Sequence, residues 1–217
     1  MKIDKKIKEI DNIENKIKSF KNKLINYTND KDYSTRSKAI EVLSLFYDAN
    51  IDNVILNGLE DKDSLVRVSA LEAIMLPQNI DNVLNKIAKR LNDKSWLVRA
   101  YAIEALADNN AKKYHPKIKK LMKKNKNNEV LVRIYYALVK FGEKKYFKKL
   151  IKMLRHKNYR VRCATSSMLY YLANKNNYNL IIKSLNKALK KEKTNAAKSC
   201  LDGTIKDLIY LKDKGNL

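Results

Sequence analysis

The residues best equipped for chemistry are the lysines and arginines between positions 112 and 162. This stretch holds 19 basic side chains against two acidic ones, Glu129 and Glu143. Residues 1–111 hold 18 basic and 17 acidic residues, and residues 163–217 hold 10 and 4, so most of the formal net charge of +24 lies in the stretch. Crowded like charges repel one another, and an anionic partner relieves that repulsion.

The chemistry that these side chains offer is the binding of anions. Lysine outnumbers arginine, and its compact charge suits non-specific contact with phosphate groups. We therefore expect the partner to be an acidic protein or a nucleic acid, with a merely solvated surface as the alternative. The candidate polyanion-binding residues are Lys112, Lys113, Lys117, Lys119, Lys120, Lys123, Lys124, Lys144, Lys145, Lys148, Lys149, Lys152, Arg155 and Arg160. The tyrosines among them, which would stack on bases if exposed, are Tyr114, Tyr135, Tyr136, Tyr146 and Tyr159.

The elements that position these residues repeat about every thirty positions. The dipeptide Val-Arg recurs, and its arginines, with degenerate copies at either end, are spaced 31, 32, 34, 29 and 36 residues apart. Four residues before most of them stands a helix N-cap type, and apolar residues follow at helical spacing. Further apolar helical segments precede each of these helices, with short polar loops between them. The basic positions are Arg36, Arg67, Arg99, Arg133, Arg162 and Lys198.

This pattern resembles the HEAT repeat, in the short form named after phycobilisome lyases. The segment from Leu91-Asn92-Asp93 through Val98-Arg99 to Leu106 carries the resemblance best, and the likeness covers roughly residues 30–210. The resemblance implies an all-α fold, a right-handed α-solenoid of about six antiparallel helix pairs that binds proteins or nucleic acids. One pair cannot bury its apolar face alone, so the pairs must stack.

The chain is expected to form one domain, residues 1–217. We divide it into an N-terminal capping helix, neutral repeats, strongly basic repeats and a C-terminal capping repeat, at 1–28, 29–110, 111–174 and 175–217. The first helix carries an apolar stripe from Ile3 to Leu24. This stripe is interpreted as the cap of the solenoid, with a coiled-coil seam as the alternative, so a monomer is expected and a dimer through this helix is the second option.

The repeat arginines Arg36, Arg67, Arg99, Arg133 and Arg162 admit two interpretations. One arginine at the same position of each repeat would form a ladder that grips phosphates. In HEAT-like repeats, however, the equivalent arginine is similar to one that pairs with an aspartate of a neighbouring loop. Here that aspartate would be Asp61 or Asp93, and such pairing tightens the stack. We favour the structural role.

Nothing in the sequence argues for catalysis, and we expect no catalytic residue, metal or cofactor. Trp96-Leu97-Val98-Arg99 resembles a stretch of the HEAT-like alkylpurine DNA glycosylases, but no catalytic partner is evident beside it, since Asp93 is expected in a loop and Asp108 at a helix end. A tetrapyrrole lyase or chaperone is a further alternative, implied by the repeat resemblance alone. Cys163 and Cys200 are expected as buried thiols and the two histidines as loop residues.

Two further expectations concern the location of the protein. No apolar run approaches the ~20 residues that cross a bilayer, and the first 25 residues alternate lysine with isoleucine without forming an apolar core segment. We therefore expect a cytoplasmic protein without membrane contact. The identity of the partner and the biological process lie beyond what the residues indicate.

Overall fold

The chain is helical throughout the residues that the computed structural model describes, which are 2–46, 49–74 and 80–217. Within these ranges it has twelve α-helices, two short 3₁₀ segments and no β-strand, which confirms the all-α prediction. The helices are α1 (Lys2–Tyr27), α2 (Tyr33–Leu43), α3 (Ala49–Gly58), α4 (Ser64–Ala73), α5 (Ile80–Lys89), α6 (Trp96–Asp108), α7 (His115–Lys124), α8 (Asn128–Lys140), α9 (Lys145–Met153), α10 (Tyr159–Leu172), α11 (Tyr178–Leu189) and α12 (Asn195–Asp213).

The helices group into two compact units, Met1–Tyr101 and Ala102–Leu217. In the first unit α2 packs against α1, α3 and α4, and α3 packs against α4. In the second unit α8 packs against α7, α9 and α10, while α12 packs against α10 and α11. Each odd-numbered helix of these sets thus rests on the even-numbered helix that follows it, and successive even-numbered helices pack together. This is the packing of a helix-pair repeat array.

The second helix of each pair begins where its cap residue stands. Asp32, Asp63 and Asn158 precede α2, α4 and α10, and each accepts a hydrogen bond from a backbone N–H of the first turn. Helix α8 begins after Asn127, and Glu129 lies within its first turn. Such caps satisfy N–H groups that have no partner inside the helix, and so they fix the start of each helix.

Small residues allow the helices of the first unit to approach one another closely. A Cβ atom at Gly58 would lie 2.7 Å from Ile40 and 3.1 Å from Ala70, so α3 rests on α2 and α4 through its bare backbone. The position three residues after each repeat arginine is buried throughout. Its occupants are Ala39, Ala70, Ala102, Tyr136 and Thr165.

Helix α1 differs from the expected cap. Its last turns lie against α2 and bury Leu24, but the earlier members of its apolar stripe are between 46% and 61% exposed. These exposed members are Ile7, Ile10, Ile13, Ile17 and Phe20. The side chain of Ile3 lies outside the described residues. Most of the stripe therefore covers no part of its own unit.

Candidate anion-binding groove

The six loops that lead into the second helices contain one common turn. In each, a side-chain acceptor receives the backbone N–H of the residue two positions later, at 2.8 to 3.3 Å. The acceptors are Asp30, Asp61, Asp93, Asn125, His156 and Glu192. The turn therefore requires an acceptor at this position, and it forms with a charged or an uncharged one.

The repeat arginines of the first unit join these loops together. Arg67 Nη1 donates to the carbonyl oxygens of Asp61 and Lys62, in its own loop, at 2.7 and 3.2 Å. Its Nε and Nη2 donate to the carboxylate of Asp93, in the next loop, at 2.9 and 2.8 Å. Arg36 bonds to Asp61 in the same way. Burial alone would raise the pKa of Asp93, but the hydrogen bonds from Arg67 bring it below its usual value.

In the second unit one repeat arginine pairs with the acid of the next loop, as in the first unit, and another has a different partner. Arg162 Nε and Nη2 donate to the carboxylate of Glu192 at 2.5 and 2.6 Å. Arg133 Nε donates instead to Glu104, on α6, at 2.7 Å, and the turn position of the following loop is held by His156.

The remaining repeat arginine, Arg99, donates to the carbonyl oxygens of Asp93 and Lys94 in its own loop at 2.7 and 3.0 Å. All five repeat arginines are buried or half-buried and hydrogen-bonded to the fold. Four of them bond to loops and the fifth, Arg133, bonds to α6, so the five do not form an exposed ladder for phosphates.

A groove of about 1020 Å³ lies between α9 and α11, the first helices of two consecutive pairs in the second unit. Residues of both helices and of the loops that follow them form its walls. Its basic side chains, apart from Arg162 in the wall, are Lys148, Lys152, Arg155, Lys157, Lys187, Lys191 and Lys193. Within the described ranges none of these seven forms an ion pair, and all seven are exposed.

Helix geometry explains why the lysines converge on the groove. Lys148 and Lys152 are four residues apart on α9, so they share one face, and the opposite face buries Tyr146 and Leu150. Lys187 is in the last turn of α11, as Lys152 is in that of α9. The carbonyl ends of helices carry partial negative charge, which stabilises cations placed there by ~0.5 kcal/mol each.

Part of the lining is apolar and is called the floor of the groove, whereas the seven exposed cations are called its rim. Leu154 is buried, Ile151 and Ala188 are half-buried, and Leu180 is 49% exposed. A large apolar side chain that remains half exposed inside a concavity offers a contact for an apolar group of a partner. The groove thus combines a cationic rim with an apolar floor.

The acidic side chain in the lining, Glu192, is neutralised within the wall. It pairs with Arg162 and accepts the backbone N–H groups of Lys193 and Thr194, both at 2.9 Å. The hydrogen bond from Arg162, opposed by burial and helped by the backbone bonds, lowers the pKa of Glu192 to about 2. The carboxylate of Glu192 is therefore paired with Arg162, and the seven other basic side chains of the lining have no acidic counterpart within it.

One predicted basic residue of α7, Lys119, contacts a carboxylate and does not line the groove. Glu143 contacts Lys119 Nζ at 2.9 Å, Lys145 Nζ at 3.4 Å and His115 Nε2 at 2.6 Å. The hydrogen bond from Lys119 contributes most to lowering the pKa of Glu143 to about 2. His115, expected in a loop, is the first residue of α7 and is half-buried. The other predicted cations are exposed.

Of the predicted basic residues, the groove contains Lys148, Lys152 and Arg155. The sequence interpretation missed Lys187, Lys191 and Lys193, because they lie in the segment expected to be the C-terminal capping repeat. The usable signal was the run of lysines at the end of an apolar helical segment that follows a basic repeat.

The tyrosines are poorly placed to stack on bases. Tyr136 and Tyr146 are buried, and the hydroxyl of Tyr136 donates to Asp108. Tyr135 stacks on Tyr146 with ring centroids 5.6 Å apart. Tyr114 is half-buried, and Tyr159, 36% exposed, is the most accessible of the five.

The cysteines differ from the buried thiols that the sequence predicts. Cys163 is half-buried, Cys200 is exposed, and both are free thiols. Burial and the neighbouring Cys200 thiol raise the pKa of Cys163 to about 12. In the described part of the chain no three histidine, cysteine or acidic side chains gather as metal ligands would. Among those same residues, no helix has the length and apolarity needed to cross a bilayer.

Residues 84–169 match the family model for HEAT repeats. These residues, which include α6 to α9, most of α10 and one wall of the groove, belong to the HEAT-repeat family, and the predicted resemblance is confirmed. No curated protein sequence matches the chain.

Among solved structures, the X-ray structure of the YibA protein of Escherichia coli is similar with a TM-score of 0.53 and 20% identity. That alignment covers 87% of this chain and 82% of YibA. Two engineered proteins align with TM-scores of 0.42 and 0.41 and identities of 16% and 18%, covering 86% and 87% of this chain and 97% and 96% of theirs. The likeness to YibA shows a shared fold.

Proposed function

We propose that this HEAT-repeat protein is a non-catalytic scaffold whose groove between α9 and α11 binds an acidic, partly apolar segment of a partner protein. The supporting observation is the pairing of seven exposed cations with an apolar floor that includes Leu180 and Ile151. Carboxylates of a bound segment would meet the rim, and its apolar side chains would cover the floor. Opposite charge at such a surface favours specificity and fast association.

A nucleic acid is the second candidate partner. Exposed lysines outside the groove, such as Lys120, Lys123 and Lys124 on α7, support it, because phosphate contact needs only accessible positive charge. The burial of Tyr136 and Tyr146 weighs against it, since sequence-tolerant binding of single strands draws on exposed aromatic rings. We therefore rank the acidic protein segment first.

The structure offers little support for the glycosylase alternative. Trp96 is half-buried at the start of α6. The nearest candidate bases in sequence are already engaged, because Asp93 pairs with Arg67 and Asp108 accepts from Tyr136. The tetrapyrrole alternative continues to rest on the repeat resemblance alone.

The same proposal places the scaffold in the cytoplasm, where its two free thiols would stay reduced. The proposal also keeps the division by charge into neutral repeats at 29–110 and basic repeats at 111–174. It adds α11 to the part of the chain that binds anions.

The test compares three fluorescent probes of equal net charge by anisotropy. They are an acidic peptide with leucines at helical spacing, a polyglutamate peptide and a single-stranded DNA. We expect the leucine-containing peptide to bind about tenfold more tightly than polyglutamate, because burying one leucine contributes ~1.5 kcal/mol. Leu180→Gln should remove that advantage without affecting the fold, since the side chain is half exposed.

Charge-reversal variants locate the site. The groove variant carries Lys152→Glu, Arg155→Glu, Lys187→Glu and Lys191→Glu. The α7 variant carries Lys120→Glu, Lys123→Glu and Lys124→Glu, and the control carries Lys62→Glu, Lys89→Glu and Lys94→Glu in the first unit.

We expect the groove variant to lose peptide binding and the other two to retain it. Equal losses in all three would mean a diffuse effect of net charge. DNA binding equal to that of the leucine-containing peptide, lost in the α7 variant and accompanied by co-purifying nucleic acid, would favour the second candidate.

A further inference from the structure

The apolar stripe of α1 is an unused surface on an otherwise well-packed unit. Ile13 and Phe20 are each 52% exposed, whereas Ile40, Ile51 and Ile87 of the same unit are almost completely buried. The stretch from Ile7 to Phe20 spans about 20 Å of helix. Large apolar side chains gathered along one face of that length mark an interaction surface.

The spacing of the stripe identifies the kind of partner. From Ile3 to Leu24 its members are on average ~3.5 residues apart, which is the repeat of two helices that wind around each other. A helix that lies against a globular core follows the 3.6-residue period of a straight helix instead. The stripe thus suits another long helix, and α1 itself has the matching length and period.

The charges beside the stripe indicate how two copies of α1 would pair. Glu9 and Lys23 precede stripe residues, on one side, and Glu14 and Lys21 follow stripe residues, on the other. In a parallel pair Glu9 would face Glu14 of the second copy, and Lys16 would face Lys21. Both contacts bring like charges together.

The antiparallel arrangement replaces part of this repulsion with attraction. Setting Ile13 opposite Ile17 of the second copy places Glu9 near Lys23, and this contact occurs twice by symmetry. Lys16 and Glu14 then each face their own symmetry mates, which gives two like-charge contacts near the centre. The antiparallel pair therefore has two attractive contacts and two repulsive ones, whereas the flanking charges of the parallel pair meet only like charges, so the antiparallel pair is favoured.

We propose that the exposed stripe of α1 is a homodimer interface, in which two copies of this chain pair their first helices in antiparallel orientation. The occupant is a second copy, because the apolar period of α1 matches itself and Glu9 of each copy meets Lys23 of the other in the antiparallel orientation. The dimer would present two anion-binding grooves, and the inference stands independently of what those grooves bind.

Sedimentation velocity on the full chain tests the pairing. We expect a reversible dimer of twice the 25.3 kDa chain mass in the micromolar range. Ile13→Glu combined with Ile17→Glu should give a monomer with unchanged helix content, because both side chains are exposed and support no internal packing. The matched control, Asn15→Glu with Asn22→Glu on the outward face of α1, should remain dimeric.

A single charge reversal tests the orientation. Glu9→Lys would face Lys23 in the antiparallel pair and weaken the dimer about tenfold, whereas it would face Glu14 in a parallel pair and strengthen it. Adding Lys23→Glu to Glu9→Lys should restore the wild-type dissociation constant. Strengthening by Glu9→Lys would contradict the antiparallel arrangement.

Two outcomes would overturn the dimer itself. One is a wild-type monomer at about 100 µM, far above the range expected for specific pairing. The other is a dimer that survives the Ile13→Glu and Ile17→Glu pair. A monomer that binds vesicles of anionic phospholipid through the stripe would likewise replace the proposal, since basic amphipathic helices also lie on such surfaces.

Discussion

The two units build the same loop turn from different side chains. In the first unit every turn acceptor is an aspartate, whereas in the second the acceptors are Asn125, His156 and Glu192. Residues 1–101 carry 18 basic and 15 acidic side chains, and residues 102–217 carry 29 and 8. The comparison separates two tasks of the loop acid: accepting the turn hydrogen bond and pairing with a repeat arginine.

An asparagine or a histidine performs the first task without the second. The repeats of the second unit can therefore lose negative charge while the turn, and with it the start of the next helix, is preserved. The acid that is kept, Glu192, lies in the groove wall, where Arg162 would otherwise be buried without a carboxylate. The distribution of charge thus follows the surface that is proposed to bind, while the fold of the loops stays the same.

The largest expected effect concerns what both units share, close packing at the third residue after the repeat arginine. Ala70→Asp in the first unit and Ala102→Asp in the second should each destabilise the protein by ~4 kcal/mol or more, because each puts an unpaired charge among packed helices. Thermal unfolding followed by circular dichroism measures this. Ala196→Asp, at an exposed position on α12, is the control and should melt like wild type. Wild-type melting of Ala70→Asp would mean that this face is not packed.

The next effect distinguishes the two tasks of the loop acid. Asp93→Asn keeps the turn acceptor but leaves the half-buried Arg67 without its carboxylate, so we expect a loss of ~2–3 kcal/mol in the free energy of unfolding. Asp93→Ala should cost more, since the turn is lost as well. Urea denaturation gives both values.

The control is Glu60→Gln, which removes an exposed partner of Arg90 and should change stability by less than ~1 kcal/mol. If Asp93→Asn behaved like this control, the ion pairs of the first unit would be dispensable and the comparison would fail.

A pH series applies the same reasoning to the acid that the second unit retains. The folded-state pKa of Glu192 is lowered to about 2, so its contribution is present above its unfolded value near 4.5 and is lost as pH falls towards 2. Glu192→Gln should therefore be less stable than wild type by ~2 kcal/mol at pH 7, and the difference should vanish near pH 2. A difference that persisted unchanged at pH 2 would point to packing by Glu192 and not to its charge.

How much of this structure the sequence predicts depends on whether the interactions that form it join residues close together in the chain. The Val-Arg register predicted the helix pairs, because helix caps and apolar periodicity act within a few residues. The resemblance to HEAT repeats implied Asp61 or Asp93 as partners of repeat arginines, and the structure pairs them with Arg36 and Arg67.

The groove could not be predicted from these local patterns. Whether a lysine faces a groove, a carboxylate or solvent depends on how consecutive pairs are set against each other. Lys119 and Lys152 look alike in the sequence, but Lys119 contacts Glu143 and Lys152 lines the groove. The exposure of Ile13 on α1 depends equally on contacts that are distant in the chain.

The smallest expected effect converts a loop of the second unit into the type found in the first. In His156→Asp the carboxylate should still accept the N–H of Asn158, and it adds a negative charge at the turn position that pairs with a repeat arginine in the first unit. We expect a change in the free energy of unfolding of no more than ~1 kcal/mol, and a several-fold weaker binding of the acidic leucine-containing peptide, because the new charge opposes the positive rim. His156→Asn keeps the turn acceptor without the charge and should bind that peptide as wild type does. Equal weakening by both variants would assign the effect to the imidazole itself, and unchanged binding by both would show that the peptide lies elsewhere than in the groove that His156 lines.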